Sequence, residues 1–447
     1  MRLMLGGLLL LMCSSVAYAE ERPNFIVFIA DDMAWDDCGA YGHPHIRTPN
    51  IDNLARDGLR FDNAFLTCSS CSPSRCSILT GRYPHNTGAS ELHQPLPADQ
   101  ITVARRLKEA GYYTASAGKW HLGPSEKKNF DRIHNGREKV WMQAIEQRPL
   151  DQPFFLWMAF FDPHRPYQEG TIDEPHKPSD TVVPPYLPDV PETRRDLAMY
   201  YDEITRMDGV IGDVLEELDK QGAADNTVVV FLSDNGRPFP RGKTTVYDSG
   251  IKTPWIVRWP KQITAGGSTD ALISSIDLSS TLLELAGLDG GPTFQGKSFS
   301  AVLSDPNAEI QDAVFAEHNW HDFNAHSRAI RTAQYKFIDN SYTDLPGTPP
   351  ADAVRGETYQ AMLKLREEGK LTANQQQCFT LPRPAEGLYD LQNDPYELQN
   401  LVSDPRFAAV RDQLRAKLSQ WKQQTDDSVP KTRRPPKFDR ESGERLQ

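Results

Sequence analysis

The sequence predicts an α/β protein: a large, mostly parallel sheet sandwiched between helices, joined to a smaller C-terminal α+β unit with an antiparallel sheet. Three observations carry that class. Continuous apolar runs at 24–30, 153–161 and 227–232 fit strands buried on both faces of a parallel sheet. Helical patterns lie between those runs. After residue 303 the texture changes to short strand-like segments, as a separate unit would show.

Taken in order, residues 1–19 have the features of a secretory signal peptide. Arg2 precedes an apolar run from Leu3 to Met12, and Ala17-Tyr18-Ala19 offers a cleavage site before Glu20. That run is too short to span a bilayer, and no later stretch approaches a span. Export to a bacterial periplasm or to the medium is therefore expected. The 24–30 strand ends in Asp31-Asp32. Thr48-Pro49 then opens a helix carrying Ile51, Leu54 and Ala55, which Gly58 closes. The 153–161 strand ends in Asp162-Pro163-His164. A longer helix over 195–221 places Leu197, Ile204, Ile211, Val214, Leu215 and Leu218 near helical spacing. The 227–232 strand ends in Ser233-Asp234-Asn235-Gly236. These elements set a first domain at 20–305 and a second at 306–429. The second has strands at 313–316, 329–331, 335–338 and 387–391 and a helix at 404–424. Residues 347–377 read as a polar insertion, a loop with one helix. The Pro-, Lys-, Arg- and Glu-rich segment 430–447 reads as a disordered tail.

The 447 residues carry 61 acidic against 49 basic side chains. That balance argues against broad binding to nucleic acid, so any positive field toward an anionic substrate must be local. Of six cysteines, Cys13 leaves with the signal. Cys38, Cys68, Cys76 and Cys378 are too few and scattered for a disulfide scaffold, although one or two bridges can form. The chain has no Asn-x-Ser/Thr sequon, which suits a bacterial source better than a glycosylated lysosomal one.

Ligand sites in open α/β sheets form beyond the carboxyl ends of the strands. Here three strand ends deliver Asp31-Asp32, His164 and Asp234-Asn235. The acidic pairs offer hard oxygen ligands suited to Ca²⁺ or Mg²⁺. Alone, an Asp pair after a strand more often caps a helix.

The segment 71–82, Cys-Ser-Pro-Ser-Arg-Cys-Ser-Ile-Leu-Thr-Gly-Arg, changes that weighting. It resembles the signature of type I sulfatases, members of the alkaline-phosphatase-like superfamily, in which the leading cysteine is oxidised to Cα-formylglycine. Gly118-Lys119-Trp120-His121-Leu122-Gly123 and Phe161-Asp162-Pro163-His164-Arg165-Pro166-Tyr167 resemble two further elements of that family. The resemblance implies a partner enzyme that generates the formylglycine from Cys71, and a helix starting there. It implies a cation, usually calcium, with magnesium as the alternative, on Asp31, Asp32, Asp234, Asn235 and the modified Cys71. It gives Arg75 and His121 to the formylglycine, Lys119 and Lys243 to sulfate oxygens, and His164 to the leaving group. A formylglycine hydrate would attack sulfur to form a covalent sulfoenzyme. Lys243 sits in a segment, Gly242-Lys243-Thr244-Thr245, that departs from the common pattern.

Three stretches look most like the branch holding sulfamidase and bacterial polysaccharide sulfatases: 161–165, 234–240, and 389–407 with its Tyr389-Asp390-Leu391 start. Lys243 stands where sulfamidase has an arginine, which favours O-desulfation of an ulvan-like glycan over heparan-type N-desulfation. A phosphoester or phosphonate hydrolase on the same fold is the rival reading. The cluster His318, Trp320, His321, His326, Arg328 and Arg331 is expected to read the sulfated sugar, with Trp320 stacking on its face.

Overall fold

The structure, a computed structural model, describes residues 22–137 and 139–447; the expected signal peptide at 1–19 lies outside them. Eight strands build the main sheet. They are β1 (Asn24–Ala30), β2 (Leu59–Phe61), β3 (Tyr113–Gly118), β4 (Arg132–His134), β5 (Phe154–Ala159), β6 (Thr227–Ser233), β7 (Trp255–Arg258) and β8 (Gly267–Thr269). Their spatial order is β4-β3-β5-β1-β6-β7-β2-β8, and only β7 runs antiparallel to its neighbours.

The apolar runs exist because both faces are covered. Successive residues of a strand point to opposite faces. Phe25, Val27 and Ile29 enter one core with Ile78 and Leu79, while Ile26, Phe28 and Ala30 enter the other with Tyr200 and Ile204. α2 (Cys71–Thr80) and α3 (Pro191–Lys220) supply these partners, and α1 (Pro49–Arg56) adds Ile51 and Leu54 to the second core. α3 starts four residues before the sequence pattern suggests, at Pro191, where a missing N–H costs nothing because the first turn has no acceptor for it.

The second sheet is an antiparallel meander: β9 (Val314–His318), β10 (Ser327–Arg331), β11 (Tyr335–Asn340) and β12 (Glu386–Asp390). Between β11 and β12 the polar insertion holds two helices rather than one, α4 (Ala351–Val354) and α5 (Glu357–Glu367). α6 (Ala408–Gln424) covers one face of this sheet through Leu414, Leu418 and Trp421. The other face meets the main domain through Val314, Ala316 and Ile338 against Phe65, Leu66 and Ile251. Lys336, fully buried, crosses the same seam to Asp248 and also pairs with Glu397 of its own domain.

Two expectations need correction. Residues 430–447 are not a loose tail: they run back over the molecule. Arg434 lies 3.9 Å from the Trp320 ring centre, the Lys437 amide donates to the Asp322 carbonyl, and Arg355 donates to the Gly443 carbonyl. Composition underrated the segment because its cations find aromatic faces and backbone acceptors. The described cysteines, Cys38, Cys68, Cys71, Cys76 and Cys378, are all buried free thiols. They pack as small apolar side chains rather than as bridges. No helix among the described residues is long and apolar enough to cross a membrane.

Candidate active site

Four adjacent parallel strands, β3, β5, β1 and β6, end level with one another. Gly118 and Ile29 both pair with Ala159, and Ala30 pairs with Ser233. The next residues are therefore delivered side by side: Lys119, the loop to His164, Asp31-Asp32 and Asp234-Asn235. At the β3 end the backbone turns at Gly118, φ +86°, where an added Cβ would lie 1.9 Å from the Ala159 carbonyl oxygen. Only glycine fits there. Asp32 also adopts a positive φ, 79°, rare for a non-glycine residue. Its amide donates to Asp234 Oδ1 at 3.2 Å.

Cys71 is the first residue of α2, as the resemblance implied. All ten residues of this helix are buried. Its amino end and dipole face the carboxylate cluster, a setting that favours an anion. The Cys71 Sγ lies 3.6 Å from Asp31 Oδ1 and 3.8 Å from Asp32 Oδ1. Burial, only partly offset by Lys119 and Lys243, pushes its thiol well above the usual range. A thiol held protonated is a poor nucleophile.

Three cations surround the acids. Arg75 Nε donates to Asp234 Oδ2 at 2.7 Å, and its Nη1 donates to the Lys119 carbonyl at 3.3 Å. Lys119 Nζ pairs with Asp31. Lys243 Nζ reaches both oxygens of Asp32, at 2.6 and 2.8 Å. The chain after β6 loops back to place it: the Lys243 amide donates to the Arg237 carbonyl, and the Thr244 amide to the Ser69 carbonyl. Burial would raise the Asp31 carboxyl, but Lys119, His164, Arg75 and Lys243 together hold it well below the usual range. Asp234 is pushed up to about 6 by burial, with Arg75 opposing and Asp31 adding to the rise.

The residues present fit a hard divalent cation. Ligand atoms of Asp31, Asp32, Asp234 and Cys71 lie within 4.8 Å of one another. Asn235 Nδ2 is turned to Asp32 Oδ1 at 2.6 Å, which leaves its buried Oδ1 without a partner among the described residues. Carboxylate and amide oxygens are the donors such a cation takes.

His164 Nδ1 donates to the Arg165 carbonyl at 2.5 Å, since a carbonyl only accepts. Its Nε2 faces Asp352 Oδ2 at 3.5 Å and Asp32 Oδ2 at 3.9 Å. Arg165 anchors this loop to α3 through a bidentate pair with Asp196, at 2.7 and 2.8 Å. Burial, with Lys119 and Arg75, pushes His121 down to about 2, so its ring is neutral. Asp352 was not foreseen. It lies on α4 in the insertion, and only Pro349-Pro350 before it hints at a helix start. Burial would raise its carboxyl, but Lys243, His164 and Arg165 hold it at about 2.

The six residues expected to read the sugar divide. His318 and His321 line a cleft beside the site, with His321 Nδ1 2.8 Å from Ser70 Oγ, one residue before Cys71. The other four are committed elsewhere. Trp320 is 2% exposed beneath the tail, and its Nε1 donates to the Pro435 carbonyl, so its face is closed to a sugar. Arg328 forms a bidentate pair with Asp427, both bonds 2.7 Å. Arg331 covers the Phe65 ring at 4.3 Å, and His326 Nδ1 bonds Ser341 Oγ at 2.9 Å.

Comparisons with known proteins agree with this geometry. The sulfatase family matches residues 23–288, and the family described as N-sulphoglucosamine sulphohydrolase, C-terminal, matches 241–347. The chain is 32% identical to human N-sulphoglucosamine sulphohydrolase, over 91% of each chain. It is 30% identical to an ulvan-active sulfatase of Formosa agariphila, over 90% of this chain and 75% of that one. A putative sulfatase structure from Bacteroides fragilis superposes with a TM-score of 0.73 at 22% identity, over 91% and 96% of the two chains. The chain belongs to the sulfatase family and is a sulfuric ester hydrolase. Membership implies an oxidised cysteine and a metal site.

Proposed function

We propose that this enzyme, exported from a bacterial cell, removes O-sulfate from an ulvan-like polysaccharide or its oligosaccharides. The observation that supports a sulfuryl-transfer centre most directly is the meeting of Cys71, three buried carboxylates and three cations at four level strand ends. Asp31, Asp32, Asp234 and Asn235 would hold Ca²⁺, with Mg²⁺ as the alternative. When bound, the cation supplies a Lewis acid and the oxidised Cys71 supplies the nucleophilic oxygen.

The remaining work falls to the chain's own side chains. Lys119 and Lys243 flank Cys71 and offset negative charge on sulfuryl oxygens, in a site from which burial excludes bulk water. Arg75 holds Asp234 in place and leaves Nη2 without a hydrogen bond, 3.8 Å from Asp31 Oδ1. His164, its Nδ1 fixed on a carbonyl, presents Nε2 to protonate the departing alkoxide. His121, neutral, accepts the proton that regeneration of the site releases.

An N-sulfoglucosamine substrate is the second reading, favoured by the 32% identity to the human sulfohydrolase. The deciding experiment is sulfate release from defined ulvan, carrageenan and heparan oligosaccharides, using protein co-produced with a formylglycine-generating enzyme. Release from ulvan fragments is expected. Release from heparan N-sulfate alone would select the second reading. An aryl phosphate cleaved faster than the matching aryl sulfate would overturn both.

A further inference from the structure

Beside the catalytic cluster, on the far side of His321, lies a cleft of about 50 Å³. A single water needs roughly 10–15 Å³, so the cleft has room for one small oxyanion group. Two guanidinium groups face it, Arg383 from the segment before β12 and Arg440 from the tail. Neither has a carboxylate partner among the described residues. The one side-chain hydrogen bond of Arg383 is to Asn340 Oδ1 at 3.3 Å, a long contact. Arg440 donates to Thr348 Oγ1 at 2.9 Å and lies 4.5 Å from the Phe323 ring centre. Burial lowers both guanidinium groups, and Arg383 further lowers Arg440, so the two cations repel each other.

The other charged groups at the cleft do not cancel this field. Arg241 spends its donors on Gln377, Tyr396 and Glu397. Asp322, the one carboxylate lining the cleft, accepts from the Ala351 amide at 2.9 Å and balances at most one of the three arginine charges, so the cleft stays positive. Burial keeps His318 and His321 neutral. Five of the seven arginines buried among the described residues, Arg75, Arg165, Arg237, Arg328 and Arg331, are matched to an acid, and the other two, Arg148 and Arg241, spend donors on carbonyl oxygens. Two unmatched forks converging on one small cleft is what a site for an external carboxylate or sulfate requires.

We propose that Arg383 and Arg440 form a second anion subsite, which holds a carboxylate or a further sulfate on the glycan whose sulfate lies at Cys71. The subsite deepens the function proposed above and rests on it for the identity of the ligand as a glycan. Its chemistry selects a polyanionic sugar, uronate-bearing or disulfated, over a monosulfated neutral one.

The test separates the subsite from the activity. Affinities are measured by calorimetry on the Cys71→Ser protein, so that turnover does not consume the ligand. Three sulfated disaccharides serve as probes: one with a uronate, its carboxyl-reduced counterpart, and a disulfated one lacking the carboxylate. The uronate form or the disulfated form is expected to bind about tenfold or more tighter than the reduced form, the scale of a charge-assisted fork. The stronger of the two identifies the anion. That ratio should collapse toward one in Arg383→Gln and in Arg440→Gln, and persist in part in Arg383→Lys. Because each ratio is taken within one protein, a loss of folded fraction cancels.

Equal affinities for all three probes, no measurable binding of the anionic pair, or a ratio indifferent to both substitutions would overturn the subsite. Sulfate release by the unsubstituted enzyme is scored apart. Its absence with discrimination intact would sink the proposed activity and leave the subsite standing.

Discussion

Lys243 is held by both oxygens of Asp32 and is 1% exposed, so its charge is spent inside the cluster and not in solvent. Replacing it with alanine should lower kcat/KM on an aryl sulfate by about 10²- to 10³-fold, the scale of removing one preorganised charge from a transition state. His164 should behave differently with different leaving groups. His164→Asn is expected to slow sugar sulfates by about 10²- to 10⁴-fold, but to spare aryl sulfates, whose phenolate departs without a proton. Equal losses on both would remove His164 from the acid role. Cys71→Ser should keep the fold by circular dichroism and lose turnover, while peptide mass spectrometry of the parent protein shows the oxidised residue. Cys71 and His164 were legible in the sequence because one lies in a contiguous motif and the other follows a strand end, whereas Lys243 lies in a segment that departs from the common pattern. Asp352 was not, since a lone acid in a polar insertion looks like any solvated acid. Trp320 misled for the opposite reason: an aromatic beside His and Arg resembles a sugar platform until the chain segment that covers it is seen.

At the scale of elements, the seam between the two sheets depends on an ion cluster. Lys336 on β11 is 0% exposed and pairs with Asp248 and, at 2.8 Å, with Glu397. Lys336→Met would leave two buried acids poorly compensated, at a cost of about 3–5 kcal/mol. Urea unfolding should show it as a lower midpoint. Adding Glu397→Gln should recover part of the loss, because one uncompensated charge then disappears. Burial would raise the Asp248 carboxyl, but Lys336, Arg331 and Lys252 bring it down to about 2, below its ordinary 3.8. A group depressed in the folded state binds fewer protons than its unfolded counterpart. Its stabilisation is therefore complete above about pH 4 and is lost as pH falls toward 2. Acid unfolding of Asp248→Asn should be shallower through that window. Three strands of the main sheet, β1, β5 and β6, were readable from their apolar runs because both faces are buried; the other five were not predicted. The reversal of β7 was not readable either, since an antiparallel strand buried on both faces carries the same apolar residues as a parallel one.

For the whole molecule, the segment 430–447 ties the two domains to the active site. Its backbone carbonyls accept from Arg355 and Gln360, at 2.7 and 2.9 Å, and so brace α4 and α5 from outside. α4 carries Asp352, and Asp352 faces His164. A chain ended at Val429 should therefore lose more than a surface strap. Amide exchange should speed up around Trp320 and across α4, where the covering bonds are removed, while β1, β5 and β6 stay protected because none of their ladder bonds involves the tail. Freed from its brace, Asp352 would no longer hold a fixed place beside His164, so kcat on sugar sulfates should fall along with the rise in KM that loss of Arg440 brings. A deletion that changes KM alone would limit the segment to substrate contact. One that leaves exchange at α4 and both constants unaltered would show that the main domain positions Asp352 without help, and that the run of cations and prolines at the end of the chain has no part in the site.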